Sequence, residues 1–303
     1  YLMLVPILLV FLFWRYFPMY ELLGCFKVSD SVLPVSEQLF SGFSYFKRLL
    51  IGGDSLSVEF WRAMRNTFLL SFYGLLFGFP MPIVLALFFN EIRSNGARSV
   101  YQVLTYLPKF MSTVVMTSLV TMLVKQGSLT SNMGIVSQAL ASLGLISQDV
   151  ANAGLLNNPV FFRSIYQISG IWESAGYDSI VFFAAIIAIS PTSYEAAQID
   201  GADKWAQMRY VVLPSILSTI VIMLITRIGS LLNIGYEKVL LLYNANTYVT
   251  ADVVSTFASR NGLGTGAGTG IAAAAEMMNN VIGMLLVIGA NTIARKASNT
   301  SLY

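Results

Sequence analysis

Glu173 and Asp178, in the run ending at Ile189, and Arg227, in the run beginning at Ile216, are ionisable side chains inside stretches otherwise apolar enough to lie in hydrocarbon. An ionised group at mid-bilayer costs about 2.5–3.5 kcal/mol or more, so such residues pair with one another, face a water-filled cavity or line the path of a solute. At 1.5 Å per residue Arg227 lies about 16 Å into its run, near the middle of a hydrocarbon core about 30 Å thick. A partner in Asp178 or Glu173 is open to it, either as a structural ion pair or as part of a translocation lining. Little else in the chain does chemistry. There is no His and one Cys, Cys25, which removes imidazole acid–base catalysis, Cys/His metal clusters and an internal disulfide.

The second informative group lies in a polar stretch between two apolar runs, residues 195–214, EAAQIDGADKWAQMRYVVLP. Thr192 followed three residues later by Glu195 has the form of a capping box that would start a short helix once Pro191 has ended the run before it. Ala196 and Ala197 are small enough for that helix to lie close against another protein. After Asp200, Gly201 is free to take the left-handed conformation that closes the helix. A second helix from Ala202 to Tyr210 is expected to stop before Pro214, which follows Leu213 and belongs near the start of the next run. Two short helices joined at a glycine make a compact knob, suited to docking. Glu195 is then either a cap or a contact to a partner.

The elements that must position these groups are set by composition. The chain is 56% hydrophobic and 11% charged, against about 25% charged in soluble domains. Six stretches reach the length of a membrane span, at about 2–20, 66–89, 101–124, 165–189, 216–234 and 277–294. The expected fold is an all-α membrane protein of six transmembrane helices in a single domain over residues 1–303, with the knob in a loop at 190–214 between spans 4 and 5. The first stretch reads as a genuine span whose cytoplasmic leader lies outside this sequence rather than as a signal peptide. Lys and Arg do not fix the orientation, because the outer loops then carry more of them than the inner ones. The segment SVEFWRAMRNTF places Phe60, Trp61, Met64 and Phe68 at helical spacing among charges, as in an amphipathic helix lying on the membrane face before span 2.

The stretch Glu195, Ala196, Ala197, Gly201, Leu213, Pro214 fits the pattern EAA, three residues, Gly, nine residues, Ile, one residue, Leu-Pro, with Val211 in the Ile position. That pattern resembles the signature of the permease subunits of type I ABC importers. WRAMRNTFLLS, PMPIVLALFFNEIR, SGIWESAGYDSIVFFAAIIAISPTSYEAAQIDGADKW, RIGSLLNIGYEKVLLLYN and the closing SLY extend the resemblance over most of the chain, to the LplB-like branch of sugar-importer permeases. One departure is the Gly- and Ala-rich outer approach to the sixth span, GLGTGAGTGIAAAAEMM. The resemblance implies a chain without a cofactor of its own that works with a second homologous permease in a heterodimer, two ATPase subunits that bind ATP and Mg, and an extracytoplasmic solute-binding protein. It implies a bacterial cytoplasmic membrane location, and carbohydrates, oligosaccharides among them, as solute. The loop would then sit in a cleft of the ATPase and carry its movement into the membrane. Because it must face the ATP-containing compartment, both termini would be cytoplasmic.

If the solute is a sugar, aromatic faces and hydrogen-bonding groups should line its path. Trp172, Glu173, Tyr177, Asp178, Arg227, Asn233 and Tyr236 supply that mixture, with ordinary helix packing as the alternative for each. GLGTGA at 262–267 fits a loose dinucleotide fingerprint but has no strand–helix unit around it, and no P-loop occurs, so the chain carries no ATP site of that kind. Met277 and Met278 read as packing residues, and nothing in the charge pattern marks a nucleic-acid surface. Two rival functions are a self-contained secondary carrier, with Glu173, Asp178 and Arg227 as an ion relay, and an intramembrane enzyme, for which no nucleophile and base present themselves. Neither calls for the knob at 192–210. An ABC importer permease for amino acids, peptides or a metal remains the alternative within the family, because the knob is shared across solutes.

Overall fold

A computed structural model describes residues 2–28, 36–127, 133–263 and 268–298. The fold is helical, and among the described residues the β pairing is an isolated antiparallel bridge between Lys27 and Phe40. The helices that matter here are α1 (Val5–Tyr16), α2 (Ser44–Ile51), α3 (Ser55–Glu91), α4 (Asn95–Phe110), α5 (Thr113–Val124), α6 (Pro159–Ile187), α7 (Pro191–Ile199), α8 (Lys204–Ser215), α9 (Leu217–Gly229), α10 (Tyr236–Leu242), α11 (Val254–Leu263) and α12 (Gly268–Ser298). Among the described residues three runs are long and apolar enough to cross a membrane: α3, α6 and Thr269–Thr292 of α12. The count reaches five if each of two bent pairs is one span, and α1 is a shorter apolar helix.

The breaks have local causes. Expected span 3 is not one rod. α4 and α5 meet at 102°, because Pro108 lies in the last turn of α4 and Ser112 starts α5 as an N-cap, its hydroxyl accepting from the Val115 N–H at 3.4 Å. Expected span 5 also ends early. α9 stops at Gly229 and residues 230–235 run as turns rather than helix. Within α3 a π-turn at Gly74–Gly78, with Phe79 N–H donating to the Gly74 carbonyl at 3.2 Å, precedes Pro80 and Pro82. Both prolines lack the N–H of a regular ladder.

The chain forms two compact units. In the first, residues 1–67 and 252–282, Cys25, Leu49, Phe60, Ala63, Val254, Phe257, Ile271, Ala274 and Ala275 make a buried core. Phe60 is fully buried edge-on to Phe257, so the 59–68 segment, the first part of α3, turns that residue toward protein. Trp61 is half exposed, its indole N–H donating to the Leu50 carbonyl at 3.2 Å. Asp252 is fully buried and satisfied by Arg260 at 2.7 Å and by the Thr256 hydroxyl at 2.8 Å. Met277 and Met278 pack on this core, as expected of them. The approach to the last span is helical from Gly268 onward; residues 264–267 and the closing SLY lie outside the described residues.

The second unit, residues 68–251 and 283–303, is organised on α6. Asn158 caps that helix by accepting from the Val160 N–H at 3.0 Å, with Pro159 in the first turn. Small residues let neighbours approach closely: a Cβ at Gly176 would overlap the Thr105 carbonyl of α4. At one end α6 shares a core of Ala86, Phe182, Ile186, Val212 and Ile216 with α3, α8 and α9.

Candidate functional site

The knob forms as two short helices closed by glycine. α7 begins at Pro191 with Ser190 as N-cap, and it is closed by two backbone bonds. Gly201 N–H donates to the Gln198 carbonyl at 3.0 Å and Ala202 N–H to the Ala197 carbonyl at 2.9 Å, with Gly201 at φ +79°. This is the Schellman arrangement, which places a left-handed residue one position beyond the helix. The expected capping box is absent. Thr192 lies within the helix, its hydroxyl paired with that of the N-cap Ser190 at 2.8 Å, and the Ser190 side chain caps no backbone N–H of the first turn. Pro191 opens α7 instead of ending α6, which stops at Ile187.

α8 starts at Asp203, whose carboxylate accepts from the Ala206 N–H at 2.7 Å. It does not stop before Pro214. A π-turn at Met208–Val212 carries it through Leu213 and Pro214, and the chain then bends by 61° into α9. The wider turn gives Leu213 N–H the Met208 carbonyl and lets a residue without an N–H sit inside the run.

Anchoring is one-sided. Tyr194 packs on the Phe182 and Ile186 core and hydrogen-bonds Asn90; burial, more than Glu91 beside it, raises its phenol above the usual range. Gln207 is buried, donating to the Ala202 carbonyl at 2.9 Å, and Lys204 pairs with Glu91 at 3.4 Å on the surface. The other side is bare. Glu195, Ala196, Asp200 and Gly201 are exposed, as are the large apolar side chains of Ile199, Trp205 and Tyr210. Among the described residues Glu195 has no hydrogen bond or ion pair, so its capping role is removed. Leu213 is half-buried and Pro214 exposed.

A second feature of the same unit is a cavity of about 280 Å³. It is walled by the broken or glycine-rich parts of the helices: Gly74 and Gly78 at the π-turn, Lys109 in the last turn of α4, Gly170 and Glu173 on α6, and the turns at 230–235. Irregular backbone in a membrane protein is tolerated where it lies within protein or lines a water-filled space. Of the expected pathway residues the structure brings Glu173, Arg227 and Asn233 to this lining. Trp172 and Tyr177 are nearly half exposed elsewhere on α6, Tyr177 edge-on to Phe110, while Asp178 and Tyr236 also lie outside the lining.

The partner of Glu173 is neither Arg227 nor a neighbour on its own helix. Lys238 Nζ on α10 lies 3.0 Å from Glu173 Oε2, with 11% and 18% of the two side chains exposed. The ammonium also lies 5.4 Å from the Tyr166 ring centre and packs beside Gly170. Burial pulls Lys238 below the ordinary lysine range, with Glu173 opposing that pull and Lys109 adding to it. Lys238, Lys109 and Gln167, which donates to the Leu70 carbonyl at 2.6 Å, were not singled out from sequence. The signal for Lys238 was present as a lone lysine a few residues beyond an apolar run, but only the fold shows that the chain turns back there toward α6. Among the described residues no group of three or more His, Cys, Asp or Glu side chains could hold a metal ion.

Comparison with known proteins gives one consistent picture. The profile for "Binding-protein-dependent transport system inner membrane component" matches residues 78–275. Protein LplB of Bacillus subtilis is 34% identical over the whole chain and 90% of its own length. The polygalacturonan/rhamnogalacturonan transport system permease protein YteP of the same organism is 33% identical over the whole chain and 89% of its length. Among solved structures, a bacterial alginate ABC transporter in complex with an alginate pentasaccharide-bound periplasmic protein contains a chain that superposes with a TM-score of 0.84 at 39% identity, covering 100% of this chain and 96% of that one.

Proposed function

The chain belongs to the binding-protein-dependent transport system inner membrane component family, and on that premise we propose that residues 190–214 are the element through which partner ATPases drive it. It is the permease subunit of an ABC importer for carbohydrates. ATP hydrolysis, with its Mg, belongs to the ATPase subunits, as in the family at large. It is an all-α, multi-pass membrane protein, and its family works with a second permease, ATPases and a solute-binding protein. In the finer reading all of residues 1–303 make one permease domain with six crossings: α1, α3, the bent pair α4–α5, α6, the bent pair α8–α9, and α12. The partner permease is a homologue rather than a second copy, and both termini lie in the cytoplasm with the knob.

The observation that carries the coupling reading is Glu195. An exposed carboxylate without a partner, beside bare Ile199, Trp205 and Tyr210 on a rigidly capped loop, is a surface prepared for another protein. An unpartnered apolar knob gains nothing from water. For the solute, Glu173, Arg227 and Asn233 around the cavity form the inner part of the pathway, and Trp172, Tyr177, Asp178 and Tyr236 serve it from surface outside that cavity. Reconstitution of the chain with its partner permease, ATPases and binding protein in proteoliposomes tests the function. ATP-dependent accumulation of an oligosaccharide that disappears when the binding protein is omitted supports it; accumulation driven by an ion gradient without ATP overturns it in favour of a secondary carrier.

A further inference from the structure

A second and larger cavity, of about 670 Å³, lies wholly within the second unit as a groove between α3 and α6. Tyr73, Phe77 and Met81 of α3 line one side and Ile168 of α6 the other, with Arg163 and Ser164 toward the first turn of α6. Phe77, Met81 and Ile168 are exposed apolar side chains. The floor is closed, because the Gln167 amide donates to the Leu70 carbonyl at 2.6 Å. Gln167 and Ile171 also line the 280 Å³ cavity, so the contact of α3 with α6 is the wall between the two spaces.

Polarity along the groove is graded with depth. The 29 residues of α6 extend about 43 Å, matching a bilayer with its headgroups at about 40–45 Å. Arg163, the fifth residue of the helix, stands about 6 Å in, at the junction of headgroups and hydrocarbon. Ile171 lies about 12 Å deeper, still within the half of the hydrocarbon core that one leaflet supplies. Among the described residues that line the groove, Arg163 carries a positive charge and none is acidic.

We propose that this groove binds an anionic phospholipid in the leaflet opposite the knob, with its phosphate on Arg163 and one acyl chain along Phe77, Met81 and Ile168. In the orientation given above that leaflet is the outer one. The planar guanidinium matches phosphate oxygens as a two-point fork, and at the edge of the hydrocarbon the contact is stronger than in water. A zwitterionic headgroup brings its own cation into the same field and gains less. A helix from a partner permease calls for apolar or small residues along its whole contact, whereas a charge at headgroup depth above an apolar floor is the pattern of a single amphiphile. The bound chain then backs the wall at the π-turn Gly74–Gly78, whose glycines line the polar cavity on the other side.

The test uses the assembled importer in phosphatidylcholine nanodiscs doped with phosphatidylglycerol bearing a diazirine midway along one acyl chain, the adducts being mapped by mass spectrometry. Adducts are expected on the Phe77–Met81 segment and at Ile168. A phosphatidylcholine probe with the same chain should give about tenfold fewer there, and Arg163→Gln should lower the phosphatidylglycerol yield by about tenfold, as loss of a charged hydrogen bond does. Arg163→Lys should keep about half of it, because the charge remains without the fork. Ile168→Trp, which fills the groove and leaves the charge in place, should remove the adducts while the subunits still co-purify. Equal wild-type yields from the two probes, or an unchanged phosphatidylglycerol yield in Arg163→Gln, overturn the proposal. A photo-activatable residue at Phe77 that links to the partner permease also overturns it, assigning the groove to a protein helix. Solute uptake enters none of these readouts, so the importer function stands or falls separately.

Discussion

Replacement of Gly201 by valine isolates what the knob does. Position 201 holds φ +79°, and a Cβ built there meets nothing within 4 Å. The penalty is therefore conformational, not steric. A side chain in the left-handed region costs about 1–2 kcal/mol, more toward the upper end for a β-branched residue. Relaxing to negative φ instead surrenders the two capping bonds from Gly201 and Ala202, each worth about 1 kcal/mol net. A deficit of about 2 kcal/mol lowers the population of the closed knob roughly 30-fold relative to the opened one. In proteoliposomes holding the full complex, Gly201→Val should lose most transport while substrate-loaded binding protein no longer stimulates ATP hydrolysis. Gly201→Asn should keep most of both, since asparagine tolerates the left-handed region. Assembly, followed by co-purification of the subunits, checks that a docked loop is being compared. Wild-type coupling in Gly201→Val, or equal damage from Asn and Val, would refute the reasoning, because neither follows from a φ requirement.

Gly176→Ala places a methyl group against the Thr105 carbonyl, so α6 and α4 must separate; a loss of about 1–3 kcal/mol is expected, read as a lower melting temperature in detergent, and an unchanged melting temperature contradicts the contact. Removing one member of the Lys238–Glu173 pair strands a largely buried charge, so Lys238→Met and Glu173→Gln should each cost about 3–5 kcal/mol. The double variant should recover much of that loss, and strictly additive losses in a double-mutant cycle would show that the pair does not interact.

How far the sequence reaches can be judged from single elements. The knob is legible because its determinants are local: Gly201 adopts the positive φ that its place after a short helix requires, and Ala196 stays exposed while Ala197 is half-buried. The capping box failed for a reason equally local, since Pro191 takes the first helical position and moves the cap to Ser190, leaving Thr192 and Glu195 inside the helix. Apolar length marks the long runs of α3, α6 and α12 but not the breaks in the runs between them. Nothing in 101–124 announces a 102° bend except Pro108 and Ser112, which are tolerable in a straight helix until neighbours decide otherwise. The depth of Arg227 in an apolar run makes it a costly charge, yet its expected partner Glu173 pairs instead with Lys238, because pairing depends on how the chain folds back after Gly229. That turn brings Lys238 to Glu173 over a separation of 65 residues, a distance at which periodicity carries no information.

The central claim is that exposed residues of the knob dock an ATPase. A photo-activatable cross-linking residue at Ile199, whose side chain is 86% exposed, measures this directly in the assembled importer. The account predicts a covalent product with the ATPase subunit whose yield changes when the ATPases are trapped with nucleotide. It also predicts that the same probe at Val160, 75% exposed at the far end of α6, gives no ATPase product. Cross-linking at Val160 but not at Ile199 would place the ATPases at the other end of the helix and contradict the account.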